Sequence, residues 1–204
     1  MTQKARLIAA TRMIDGGSGE ELIAYCARVS NPKGQDNPDI IGLLRYLMRE
    51  RHWSPFEMAH AVVEIETTRD IARQVLRHKS LSPQEFSQRY AEVLGFVRRA
   101  VRRQDHKNRQ SSHDDLPWIK RAMWNAAVFL LTHYVAVVYT TALRFDIAKE
   151  TERVILPEGL TVSKLYVAGS VRSWLHYLSV REGNGTQSEH VELARLIREA
   201  LRTE

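Results

Sequence analysis

Gln74-Val75-Leu76-Arg77-His78-Lys79 runs through Ser80 to Phe86 into Ser87-Gln88-Arg89-Tyr90. Two arginines, a lysine, a histidine, a carboxylate, hydroxyls and amides crowd this stretch. Such a mixture is costly to bury unless anionic partners compensate it. The pattern predicts a short helix over Asp70 to His78, so Arg77, His78 and Lys79 fall at its C-terminal end, where the helix dipole favours cations. Lys79 to Phe86 contains Pro83 and is expected to be loop. A phosphate or pyrophosphate docked there would receive charge-assisted hydrogen bonds. Read from its chemistry alone, the stretch is a phosphate-binding loop.

Upstream, His52-Trp53-Ser54-Pro55-Phe56-Glu57 is a turn, and the alternation of His60 to Thr67 predicts a strand with Val63 and Ile65 on one face. Lys4 to Thr11 reads as another strand. Ser18-Gly19-Glu20-Glu21 has capping-box spacing and predicts a helix from about Gly19 to Val29. After a loop from Asn31 to Asn37, Asn37-Pro38 reads as a cap followed by proline at the first helical position. The helix it opens would bury Ile40, Ile41, Leu44, Leu47 and Met48.

Downstream, residues 98–115 form a basic polar insertion holding Arg98, Arg99, Arg102, Arg103, Lys107 and Arg109. Charge runs are usually solvated faces, so an exposed loop is expected rather than a nucleic-acid arm. Leu116-Pro117 opens a long helix to about Arg144, whose Trp118, Trp124, Phe129 and Tyr134 are assigned to the core. A second helix is expected over Asp146 to Val154, a strand over Thr161 to Ala168, a turn at Gly169-Ser170, a helix over Val171 to Val180, and a terminal helix over Ser188 to Arg202. The sum is a helix-rich α+β single domain, residues 1–204, with a small, mainly antiparallel sheet. No Gly-x-Gly-x-x-Gly follows a strand, which excludes a Rossmann dinucleotide site.

The bulk numbers agree with one core: 204 residues, 44% hydrophobic and 26% charged. Thirty Lys and Arg against 24 Asp and Glu leave a net charge of +6, carried mostly by arginine. That balance suits nucleic acid, anionic membrane or small phosphorylated ligands. No apolar run reaches the ~18 residues that cross a bilayer, and the N-terminus has no signal-peptide layout; a cytoplasmic protein with no membrane partner is expected. The single cysteine, Cys26, has no internal disulfide partner and reads as a small core residue. His52, His60 and His78 lack zinc spacing, so no metal is expected. His60, His106, His113, His133 and His190 are read as structural or exposed.

Arg77-His78-Lys79, seven residues, then Ser87 resembles the Arg-His-Arg, seven residues, Ser motif of the flavin-dependent thymidylate synthases. His52 with Ser54-Pro55-Phe56-Glu57 is similar to that family's His-x-Ser/Thr-Pro-Phe-Glu block. Ala72-Arg73-Gln74 before the motif and Gln88-Arg89-Tyr90 after it also match. Arg153-Val154-Ile155-Leu156-Pro157 resembles Arg-x-x-Leu-Pro, and Arg172 to His176, Arg181, Gln187 and Glu189 resemble the closing helical region. Four positions depart from the pattern. Lys79 keeps the charge of the motif's second arginine without its bidentate fork. Ser170 and His176 stand where asparagine is common, and Ser188 stands for a tryptophan.

The resemblance implies a homotetramer that binds FAD, is reduced by NADPH, and transfers a one-carbon unit from methylenetetrahydrofolate to dUMP. By the same resemblance His52, Ser54, Arg77, His78, Lys79, Glu85, Ser170, Arg172 and His176 hold FAD, in part across a subunit boundary. Gln74, Arg77, Glu85, Phe86, Ser87, Gln88, Arg89, Arg153 and Arg181 hold dUMP, with Arg181 the catalytic residue that favours ionisation of uracil N3. Cys26 is not needed as a nucleophile on this route, and Ser87 is a phosphate ligand, since no Ser-His-Asp order activates it. Two other readings stand beside this one: a pyrimidine nucleotide hydroxymethylase on the same fold, and a non-catalytic basic module binding nucleic acid through residues 98–109.

Overall fold

The computed structural model describes residues 3–183 and 185–202. Strand β1 (Lys4–Ala10) leads to helix α1 (Gly19–Ala27), whose capping box is formed as expected: Ser18 accepts from the Glu21 amide and Glu21 reaches back to the Ser18 amide. Helix α2 (Ile40–Arg49) begins two residues later than Asn37-Pro38 predicts. Its cap is Asp39, which accepts from the Gly42 amide at 2.8 Å, while Asn37 spends its side chain on the Asp39 amide. The 3-10 turn Ser54–Glu57 then delivers the chain to β2 (His60–Thr68) and α3 (Arg69–Val75).

Strand β3 (Ser82–Glu85) occupies part of the expected loop. Proline lacks the N–H that a central strand needs, but β3 is an edge strand, where one side of the ladder faces outward. The expected insertion folds into a two-stranded hairpin, β4 (Arg103–Gln104) with β5 (Ser112–His113). Helix α4 (Trp118–Arg144) has the predicted bounds, but α5 (Lys149–Glu152) is a single turn followed by a 3-10 turn. Strand β6 (Val162–Ser170) continues through the expected Gly169-Ser170 turn before α6 (Val171–Arg181) and α7 (Ser188–Leu201).

The main sheet is fully antiparallel, in the order β1-β2-β6-β3. The β2–β6 register pairs His60 with Ser170 at one end and Thr68 with Val162 at the other. Gly169 extends β6 because Leu81 packs against it; a Cβ at this position would collide with the Leu81 side chain. One face of the sheet, with Ala61, Val63, Ile65, Leu165 and Val167, packs on α3, α6 and α7 through Ile71, Val75, Trp174, Tyr177, Leu193 and Ile197. A smaller cluster of Ile23, Leu47, Phe56 and Ala59 joins α1 and α2 to the 3-10 turn. Cys26, on α1, is only half-buried.

Helix α4 departs furthest from expectation. Trp118, Trp124, Phe129 and Tyr134 are exposed, not core, together with Met123, Leu130 and Leu131. Only Val135, Tyr139 and Ala142 of this helix are buried. By length and composition α4 is also apolar enough to cross a bilayer. The threonines and the histidine that interrupt its apolar run do not remove that property.

Candidate functional site

Three groups of site residues are brought together. The first joins the end of α3 to the end of α6. Arg181 Nε donates to His78 Nε2 at 2.7 Å, and Arg181 Nη2 donates to the Gln74 carbonyl at 3.4 Å. A ring nitrogen that accepts a hydrogen bond carries no proton, so His78 is neutral with its proton on Nδ1. Burial, then the charge of Arg181 and of nearby His176, pushes its pKa down to about 4. The Tyr177 ring meets His78 edge-on, with centroids 4.9 Å apart.

Beneath this group lies a one-directional chain of hydrogen bonds. Tyr177 and His190 Nε2 are 2.9 Å apart, and His190 Nδ1 lies 3.0 Å from Gln74 Oε1. Because the amide oxygen only accepts, His190 donates to Gln74 and accepts from the Tyr177 hydroxyl. Gln74 donates onward to Gln187 (2.9 Å), Gln187 to Glu189 (3.0 Å), and Glu189 takes Arg102 at 2.6 Å. His190 is fully buried, which together with the neighbouring charge of Arg181 lowers its pKa to about 3. Tyr177 and His190 are absent from the site residues predicted above. The signal was present: His190 is in step with Leu193, Ala194 and Ile197 on the core face of α7, and a buried histidine needs partners.

The second group gathers at the start of α6. Arg172 pairs with Glu57 at 3.0 Å, tying α6 to the turn that carries Ser54. His52 lies just before that turn, edge-on to Tyr46. Ser170 is buried and its Oγ already caps α6 by accepting from the Ser173 amide, so its evident service is to fix where the helix begins. His176 is exposed on the same helix.

The third group follows β3. Glu85 Oε1 accepts from Ser163 Oγ at 2.9 Å and faces Arg69 at 3.7 Å. Ser87 Oγ accepts from the Arg89 amide, and Arg89 reaches Glu150 at 3.4 Å, one turn before exposed Arg153. Phe86 is half-buried and its amide donates to Lys164 O. Glu57 and Glu85 therefore engage different cations and do not form a pair.

Arg77 and Lys79 project outward beside these groups, exposed. Exposed cations with no ion pair among the described residues, flanking a neutral histidine and a fixed arginine, could serve as a donor set for a diphosphate and a nucleotide phosphate. In contrast, the basic insertion is mostly consumed internally. Arg99 binds Thr68 and Asp70, Arg102 binds Glu189, Arg103 binds Asp115 at 2.7 Å, and Arg98 stacks over Phe129. Among the described residues no group of three His, Cys, Asp or Glu is placed to hold a metal ion.

Comparison with known proteins places this arrangement. The structure superposes on that of a UMP/dUMP methylase, PolB from Streptomyces cacaoi bound with 5-Br dUMP, with a TM-score of 0.82, 25% identity, and coverage of 98% of this chain and 89% of that one. The chain is 50% identical to the flavin-dependent thymidylate synthase of Synechocystis sp. over 93% of its length and 89% of the relative's. It is 46% identical to the probable flavin-dependent thymidylate synthase of Paramecium bursaria Chlorella virus 1, over 96% of its length and 92% of the relative's. Residues 6–204 match the model of one family across nearly the whole chain. The chain belongs to the thymidylate synthase complementing protein family.

Proposed function

We propose that this protein is a flavin-dependent thymidylate synthase. It transfers a one-carbon unit from methylenetetrahydrofolate to C5 of dUMP, consumes one NADPH, and releases dTMP and tetrahydrofolate. The observation that carries this reading is the Arg181–His78–Gln74 group beside exposed Arg77 and Lys79.

Uracil must gain electron density at C5 before it attacks a one-carbon electrophile. Arg181 is fixed through Nε and Nη2, which among the described residues leaves its Nη1 end available. That end stabilises the charge on the pyrimidine as N3 loses its proton, and being fixed beforehand it needs no reorganisation. Ser87, Arg89 and Arg153 take the nucleotide phosphate. Arg77, Lys79, Arg172, His176, His52 and Ser54 hold FAD, with Glu85 setting the edge strand beside it and His78 neutral at the junction. The flavin, when bound, supplies the hydride that no side chain carries.

The exposed apolar face of α4 supports assembly into a homotetramer, since single-copy exposure of this size marks an interaction surface. A single, unpaired cysteine suits the cytoplasm. Consumption of Arg98, Arg99, Arg102 and Arg103 within the fold argues against the nucleic-acid reading.

The test is the visible spectrum of purified protein loaded with FAD, before and after dUMP, followed by mass analysis of the product. A flavin band that shifts with dUMP, and a product heavier by a methyl group, are expected. Arg181→Ala is expected to keep the band and to lower kcat by about a hundredfold. A hydroxymethylated product would move the assignment to the hydroxymethylase, and protein that binds neither FAD nor dUMP would overturn it.

A further inference from the structure

Arg89 and Arg153, the two phosphate arginines, each directly follow a buried polar side chain that lacks a well-formed hydrogen bond among the described residues. Gln88 is 6% exposed with Nε2 unpaired among the described residues; Glu152 is 3% exposed, and its carboxylate makes no well-formed hydrogen bond among the described residues, with the Tyr139 hydroxyl lying beside it. Buried polar groups are almost always satisfied, and an unsatisfied carboxylate is the costlier case. A carboxylate in such a place adds little to the stability of the fold.

The surroundings show what it bears on. The segment that leaves the motif is pinned to the α4–α5 corner at three points. The Val93 amide donates to the Tyr139 hydroxyl at 3.4 Å, Lys149 donates to the Tyr90 carbonyl at 3.4 Å, and Arg89 pairs with Glu150 at 3.4 Å. Tyr139 comes from α4 and is itself buried. Burial, and the Glu152 and Glu92 carboxylates near its hydroxyl, raise its pKa, against the opposing pull of the Val93 amide. Since the Tyr139 oxygen accepts from Val93, its proton is left to point elsewhere, and Glu152 is the buried acceptor in reach of it.

We propose that Glu152, acting through Tyr139, is a positioning residue for nucleotide binding. Its carboxylate orients the Tyr139 hydroxyl, the hydroxyl holds the Ser87–Val93 segment, and Arg89 and Arg153 thereby meet one phosphate from two elements. This inference rests on reading the site as one for dUMP.

Tyr139→Phe and Glu152→Gln, each in the full FAD-loaded chain, test it with two readouts. Hydrogen exchange without nucleotide reads the tie itself: amides in residues 87–93 are expected to exchange about tenfold faster in both variants. Steady-state kinetics read its use: KM for dUMP is expected to rise about tenfold with kcat within about twofold, while deoxyuridine, which has no phosphate, is handled as by the parent. Unchanged exchange over 87–93 would overturn the proposal. So would faster exchange with KM for dUMP unchanged, or equal losses on dUMP and deoxyuridine, which would mark a merely structural role. If the parent itself does not turn over dUMP, the functional reading fails, and the exchange experiment still decides whether Glu152 and Tyr139 hold the segment.

Discussion

Arg181 donates to a histidine that is held neutral, and a second histidine, fully buried, sits one link deeper. Both His78 and His190 have folded pKa values below the ordinary 6.5, at about 4 and about 3. The sign of their effect on stability follows. The unfolded chain binds protons at both positions near pH 6.5 while the folded chain refuses them, so their contribution is complete above that pH and is lost as pH falls towards 4. His78 is partly exposed and contributes the smaller share. Thermal unfolding is expected to drop by roughly 5–10 °C between pH 7 and pH 5. The His190→Gln variant should show a shallower slope over that window, because glutamine keeps the hydrogen bonds without a titrating group. An equally steep slope in His190→Gln would assign the acid sensitivity elsewhere. At this scale Arg77, His78 and Lys79 stood out in the sequence by their charge at a helix end, while Ser87 and Arg181 were named by family resemblance. Tyr177 and Glu152 escaped because a tyrosine or glutamate in a helix gives no sign of whether it faces the core, and their roles depend on partners more than 10 residues away.

Secondary-structure elements show the same division between local and non-local causes. The α1 capping box, the long α4 and the β2 alternation were legible because their signals lie within a few residues. Strand β3 was not, since Pro83 argues for loop until β6 supplies a partner on one side only. Gly169 was read as a turn for want of Leu81, whose approach is what demands a glycine in the strand. The basic stretch is the clearest case at this scale: it resembles a solvated loop, yet Arg102 pairs with Glu189, whose side chain is only 13% exposed, and ties the hairpin to α7. Arg102→Ala leaves that carboxylate without its cation at the end of the hydrogen-bond chain through Gln74. A loss of about 1–3 kcal/mol is expected, with faster proteolysis within residues 103–113. Charge reversal at Lys107, whose side chain is exposed at the hairpin tip, should leave both stability and dUMP kinetics as they are. Urea denaturation and limited digestion of the two variants check this directly.

For the molecule as a whole, the sequence pattern of α4 was read correctly as apolar and wrongly as interior. Helical periodicity reports that a face must be covered; it does not report whether the cover comes from the same chain. Trp124 and Leu131 are expected to lie in subunit contacts. The double variant Trp124→Asp with Leu131→Asp should convert the assembly to smaller species by light scattering, with activity falling alongside, as the proposed sharing of FAD residues between subunits requires. Retention of the parent mass would place the contacts on another face.

The same helix bears on how the protein comes into being. In the proposed homotetramer, a newly made copy carries an uncovered stripe of tryptophan, phenylalanine, methionine and leucine until it meets its siblings. Its melting temperature should therefore climb with protein concentration. Before that meeting the stripe is adhesive towards any apolar surface, so synthesis outpacing assembly would end in aggregates, and yield would depend on how quickly sibling chains find each other.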